Sequence, residues 1–116
     1  MKISTKLLQR LPKVELHCHL DGSLRIATIL DLANKNNIEL PTKDAEKLKK
    51  LLCFGKNRGS LESYLAKFEI TLSVLQTPEN LVRVAFELIE DVAKENIRYI
   101  EVRYSPILHT KSGMSP

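Results

Sequence analysis

Between Lys13 and Leu20 apolar and polar residues alternate without a break. Val14, Leu16, Cys18 and Leu20 form one set, and Glu15, His17 and His19 the other, with Asp21 continuing the polar series. Successive side chains point to opposite faces of an extended chain, so this spacing predicts a β-strand over about 13–20, stopped by Gly22-Ser23. A second alternation sets Ile100, Val102 and Tyr104 against Tyr99, Glu101 and Arg103 and predicts a strand over about 97–104.

Between the strands the period becomes helical. The first twelve residues read as a lead-in holding one helical turn around Leu7 and Leu8, closed by Pro12. Ser23 is the expected cap of a helix carrying Ile26, Ile29, Leu30 and Ala33 at i, i+3, i+4 and i+7, with Asn36 and Asn37 as stop residues. Thr42, after Pro41, is the expected cap of a shorter helix with Ala45, Leu48, Leu51 and Leu52 on its inner side. A basic loop follows from Gly55 to Gly59. Ser60 then caps a helix striped by Leu61, Tyr64, Leu65, Phe68, Leu72 and Leu75. Thr77-Pro78 pairs a capping hydroxyl with a proline at the first helical position. The helix it opens turns Leu81, Val84, Ala85, Leu88, Ile89 and Val92 to the core and ends near Asn96.

A strand, a long helical crossover and a second strand make a parallel βαβ unit. Each strand has one apolar face suited to helices and one charged face. A sheet covered on both sides would bury Glu15, Glu101 and Arg103 without partners, whereas a barrel lets such charges pair inside. The fold class expected is α/β, the N-terminal part of a (β/α)8 TIM barrel. Such a barrel needs roughly 200 residues or more, and this chain has 116. Residues 1–116 are therefore read as a single incomplete domain, and Ser115-Pro116 as the cap and first residue of another helix.

Composition narrows the class without naming a partner. No apolar run approaches the ~18–20 residues of a membrane span, and the basic N-terminus lacks the apolar stretch of a secretory signal. Cys18 and Cys53 show no disulfide or Cys-x-x-Cys spacing, so the cytoplasm is the default compartment. The net charge is +4. A local basic excess at Lys43, Lys47, Lys49, Lys50, Lys56 and Arg58 is interspersed with acids and lacks stacking aromatics. It reads as a solvated helix face, with neither nucleic acid nor membrane as partner.

The chemistry sits at the end of the first strand. Two imidazoles on one face, His17 and His19, can converge on one metal ion, and the carboxyl end of parallel strands is where active sites are built. The competing reading is the solvent side of an ordinary antiparallel strand. Asp21, without further context, reads as a polar residue capping the turn beside Gly22. Periodicity alone makes Tyr64, Leu65 and Phe68 helix-core residues. Cys18 faces away from the histidines. His109, just after the second strand, is a loop histidine or, less simply, a third ligand.

The run Leu11-Pro12-Lys13-Val14-Glu15-Leu16-His17-Cys18-His19-Leu20-Asp21-Gly22-Ser23 closely resembles the N-terminal signature of adenosine deaminases, zinc enzymes of the amidohydrolase superfamily. The likeness continues in Ser63-Tyr64-Leu65-Ala66-Lys67-Phe68 and in Tyr99-Ile100-Glu101-Val102-Arg103-Tyr104-Ser105-Pro106. It implies a (β/α)8 barrel that hydrolyses the 6-amino group of adenosine or deoxyadenosine with a zinc-activated water, releasing ammonia. His17 and His19 would be two zinc ligands, Asp21 would bind the ribose 5′-hydroxyl, and Tyr64 and Leu65 match the segment that closes over the substrate. Family members often have Phe at the position of Tyr64. The remaining ligands and the acid–base Glu belong to later strands in the family, so no catalytic residue is expected before Pro116 and the isolated chain should not turn over. Two alternatives stay open. One is an adenine deaminase piece, although that group tends to carry Glu-Gly-Thr where this chain has Asp21-Gly22-Ser23. The other is a non-catalytic remnant acting as a binding module.

Overall fold

A computed structural model of the chain describes residues 3–53 and 61–116, with the side chains of Leu61, Ser63 and Tyr64 outside that description. The basic loop at 55–59 and the Ser60 cap expected above also lie outside the described residues.

The order of elements is α1 (Thr5–Arg10), β1 (Lys13–His19), a 3₁₀ turn (Leu20–Gly22), α2 (Ile26–Lys35), α3 (Ala45–Leu52), α4 (Leu61–Ser73), α5 (Pro78–Lys94), β2 (Ile97–Arg103) and a second 3₁₀ turn (Pro106–His109). The strands pair in parallel as a two-stranded sheet. This is the expected βαβ unit, with α2 to α5 in its crossover.

Side-chain caps explain most helix starts. Ser4 accepts a hydrogen bond from the Leu7 amide and Thr77 from that of Asn80, so α1 and α5 begin where a hydroxyl takes an orphan N–H. Two caps differ from expectation. The first 3₁₀ turn intervenes after β1, and the Ser23 hydroxyl donates to the His19 carbonyl at 2.6 Å; α2 instead starts after Arg25 with no side-chain cap. Thr42 accepts from the Asp44 amide, and Asp44 itself caps α3 by accepting from Lys47 N at 2.8 Å. A carboxylate at a helix N-terminus also meets the positive end of the helix dipole. Asn37 and Asn96 follow α2 and α5 with φ of 54° and 58°, the left-handed conformation that Asn tolerates at helix ends.

The core is helical. Ile29, Leu32, Leu48, Val74, Leu75, Val84 and Leu88 are buried together, and Leu20 of the first 3₁₀ turn joins them from the strand side. On α3 only Leu48 of the expected inner set is fully covered, and on α5 Ile89 is exposed. Charge seals α2 to α5: Arg25 bridges Glu90 and Asp91, Arg83 pairs with Asp31 and Glu87, and Thr28 donates to Glu87.

The sheet differs from the simple alternation in two ways. Its apolar face is covered only at the carboxyl end, where Cys18 is half-buried; Val14 and Leu16 are 64% and 58% exposed. Register is also irregular. Glu15 lies opposite Ile100 and His19 opposite Arg103. Three residue steps on β1 from Glu15 to Cys18 therefore run against two on β2 from Ile100 to Val102. Parallel partners share a face, so the extra residue separates Glu15 from the histidine face it was expected to share. Glu101 and Arg103 do pair, at 3.1 Å, while Glu15 instead accepts from the His17 amide.

A candidate metal centre and substrate cleft

His17 and His19 stand at the carboxyl end of β1 with their Nε2 atoms 3.0 Å apart and ring centroids 4.9 Å apart. As free imidazoles, one Nε2–H donates to the lone pair of the other. Two nitrogens on a tetrahedral zinc at 2.0–2.1 Å stand roughly 3.3 Å apart, so the pair nearly presents the bite such an ion requires. The donor set is neutral imidazole, a standard zinc ligand type, and the residues fit the metal. Among the described residues no group of three His, Cys, Asp or Glu side chains is placed to hold an ion. Two imidazoles alone fall short of the three or four protein ligands a zinc site ordinarily has.

Asp21 follows in the first 3₁₀ turn. Its residue is 5% exposed, and its Oδ1 is buried with no hydrogen-bond partner. The nearest cationic candidate, His19 Nδ1, is 3.8 Å away, beyond hydrogen-bond reach. A buried carboxylate oxygen without a donor is costly. It is a ready acceptor for a ligand hydroxyl or amine.

A cleft of about 550 Å³ opens beside these groups. His19, Asp21 and Arg103 line its strand side; Leu65, Phe68, Glu69 and Leu72 of α4 form one wall, and Tyr104, Ser105 and Leu108 the other. Arg103 is held by Glu101, whose other oxygen accepts from the Tyr99 hydroxyl at 3.1 Å. That polar ladder keeps the guanidinium at the strand end. Phe68 also lies against Gly22, where an added Cβ would come 3.7 Å from its ring.

Every sequence-derived site residue whose side chain is described borders this region: His17 and His19 as a pair, Asp21 behind them and Leu65 on the cleft wall. Tyr64 lies on α4 one residue before Leu65, and its side chain falls outside the described residues. Glu69 and Leu108 line the cleft without a periodic or compositional mark, and Tyr104 and Ser105, marked only by the strand alternation and the family likeness, are revealed as cleft residues by their position beside the strand end. His109 is neither an open-loop residue nor part of the histidine pair. It is buried, and its Nδ1–H donates to the Leu75 carbonyl at 2.8 Å. Gln76 joins the same clamp, donating to the Leu72 and Leu108 carbonyls and accepting from the Lys111 amide. The two walls of the cleft are therefore tied together at their base.

Residues 12–116 match the family model described as adenosine deaminase. The chain belongs to the adenosine deaminase family. A curated adenosine deaminase of Clostridium perfringens is 54% identical over 108 residues, covering 93% of this chain and 32% of its own length. Among solved structures, a zinc-bound amidohydrolase from Burkholderia ambifaria is 29% identical with a TM-score of 0.78, covering 99% of this chain and 31% of that one. An adenine deaminase from Arthrobacter aurescens is 33% identical with a TM-score of 0.76, covering 90% and 31% respectively. The chain thus spans about a third of the length of these deaminases. Its fold is the N-terminal part of their TIM barrel, and the family is one of hydrolytic deaminases.

Proposed function

We propose that this chain contributes the first two zinc ligands and one side of the substrate site of a purine nucleoside deaminase, acting on adenosine or deoxyadenosine. The observation that carries this reading is the 3.0 Å approach of the His17 and His19 Nε2 atoms beside the buried, unpartnered Asp21 carboxylate. His17 and His19 would hold a zinc ion, which when bound would supply the Lewis acidity that makes water nucleophilic near neutral pH. Leu65, Phe68 and Leu72 offer an apolar wall for the flat base and exclude water from it. Asp21 Oδ1 accepts from a ribose hydroxyl, which favours a nucleoside over the free base. The acid–base Glu that the family resemblance implies belongs to a later strand, so the isolated chain should show no turnover.

The test is a chimera in which the matching N-terminal part of the Clostridium perfringens relative is replaced by this chain. Adenosine and adenine loss are followed by ultraviolet absorbance, and zinc content is measured alongside. Wild-type chimera should deaminate adenosine in preference to adenine. Asp21→Ala should cut kcat/KM for adenosine at least tenfold while zinc content is kept, and His17→Ala or His19→Ala should lose zinc. Preference for adenine, or an Asp21→Ala variant unimpaired on adenosine, would sink the nucleoside reading. Zinc-dependent turnover by the monomeric 116-residue chain would overturn its expected inactivity.

A further inference from the structure

One buried side chain spans the gap at the base of the cleft. Gln76 lies in the linker between α4 and α5 and is 7% exposed. Its Nε2 donates to the Leu72 carbonyl at 2.7 Å and to the Leu108 carbonyl at 3.0 Å. Leu72 belongs to the α4 wall of the cleft and Leu108 to the facing wall. A single nitrogen thus holds backbone from both walls within hydrogen-bond reach. Gln76 Oε1 accepts from the Lys111 amide at 2.9 Å, so both ends of the amide are engaged and it cannot turn without breaking a bond. His109 adds a second tie, its Nδ1–H donating to the Leu75 carbonyl at 2.8 Å. The His109 ring also backs that of Tyr104, another cleft residue, with centroids 5.8 Å apart. The mount is firm: Val74 and Leu75 are fully buried, and Asn80 Nδ2 donates to the Val74 carbonyl at 2.8 Å. Burial alone would be served by an apolar residue at 76, because a buried amide gains little net stability from exchanging water for protein partners. What the amide adds is a fixed spacing between two main chains.

We propose that Gln76, backed by His109, is a positioning residue that sets the spacing of the cleft walls and thereby the girth of the purine base that the site accepts. The inference rests on the reading of this cleft as a nucleoside site. Gln76 is not itself a lining residue and acts through Leu72 and Leu108. One wall carries Leu65, Phe68 and Leu72, and the other Tyr104 and Leu108. A flat ring held between apolar walls gains dispersion on both faces, and a gap of about 0.5–1 Å already forfeits a large part of it. Letting the walls separate therefore weakens the hold on adenosine and lowers the penalty on a bulkier base. Contacts to the unreacting faces of the ring are made alike in the bound substrate and in the transition state, so their loss falls on KM rather than on kcat.

The test uses the chimera with the Clostridium perfringens relative and compares adenosine with N6-methyladenosine and 2-chloroadenosine, which are bulkier at different edges of the base. Gln76→Met keeps the length of the side chain and removes its donors. It should raise KM for adenosine about fivefold or more and leave kcat within about twofold. It should also shift the ratio of kcat/KM toward at least one bulkier substrate by about threefold or more. Hydrogen exchange at the Lys111 amide should quicken about tenfold or more as its acceptor is lost. His109→Leu should move KM in the same direction, and His109→Asn, which keeps an N–H near the position of Nδ1, should restore it. Asn80→Ala is the structural control: it loosens the same linker without reaching the far wall, so the thermal midpoint falls while KM and the substrate ratio stay. A Gln76→Met enzyme that only melts earlier, with KM and ratio unchanged, overturns the proposal, as does Lys111 exchange at the wild-type rate. Equal KM changes in Asn80→Ala and Gln76→Met would assign the effect to general loosening and overturn it too. A raised KM with an unchanged ratio supports the positioning role and overturns selection by girth. A soluble, zinc-bound wild-type chimera that does not deaminate adenosine removes the deaminase reading, and the proposal falls with it; that failure is distinct from an active chimera indifferent to Gln76→Met.

Discussion

The two ends of the same strand pair live in different environments. At the carboxyl end, β1 runs into a 3₁₀ turn whose Leu20 enters the core with Ile29, Leu75 and Val84, and Asp21 is carried inside beside it. Toward the amino end, Val14 and Leu16 have the same apolar chemistry and project into solvent. Hydrophobicity alone therefore does not decide burial here; the reach of the helices does. The half that is packed is also the half that holds the histidine pair, Asp21 and the cleft. The site's chemistry is supported locally even though the sheet around it is open.

The sharpest way to break this contrast is truncation at matched positions. Leu75 and Ile29 are fully buried, and Leu75→Ala or Ile29→Ala should cost about 2–5 kcal/mol through lost transfer energy and the cavity left behind. Leu16→Ala, on the bare half, should stay within about 0.5 kcal/mol. Urea unfolding followed by circular dichroism compares them directly. Similar losses at Leu16 and Leu75 would mean that the amino half is packed in solution.

The same contrast can be sharpened by deleting one hydroxyl at each of two helix starts. Thr77 caps α5, a 17-residue helix whose inner face is in the core, and Ser4 caps α1, a six-residue helix that buries nothing. Thr77→Ala should lower global stability by about 1 kcal/mol. Ser4→Ala should fray α1 without moving the unfolding midpoint, because a segment uncoupled from the core opens on its own. An equal shift for both variants would show α1 to be part of the cooperative unit.

Much of this organisation is legible in the residues, for physical reasons that also mark where reading fails. Thr77-Pro78 announces α5 because a capping hydroxyl and a fixed proline φ both act within one turn. The His17–His19 pairing is legible because a period of two is local to the strand. The caps at Ser23 and Thr42 are misleading: each hydroxyl has a second backbone group in reach, and the tertiary path of the chain selects it. Glu15 leaves the histidine face because of a register slip against β2, which no pattern within β1 contains. His109 is buried by a carbonyl 34 positions away in sequence. Exposure of Val14 and Leu16 depends on what else covers the sheet, and that lies outside any property of those residues.

The smallest effect belongs to the charged seam between α2 and α5, and its pH dependence has a definite sign. The Arg25 guanidinium, hydrogen-bonded to Asp91, holds that carboxyl below the ordinary range, with Lys94 adding to the effect against the opposing cost of desolvation. Asp91 and Glu90 in turn push the Arg25 guanidinium up. A carboxyl with a depressed folded-state pKa adds stability that is fully present above its unfolded value near ~4 and disappears as pH falls through the folded value. Arg25 keeps about a third of its side chain in solvent and Asp91 more, so water and salt screen the pair and the gain is modest. Arg25→Met should therefore be slightly less stable than the wild-type chain from pH 5 to 7, and the gap should close below about pH 4 as Asp91 is neutralised. Thermal midpoints measured across that range test it. A gap that persists unchanged at pH 3 would assign the contribution of Arg25 to the packing of its aliphatic stem rather than to its charge.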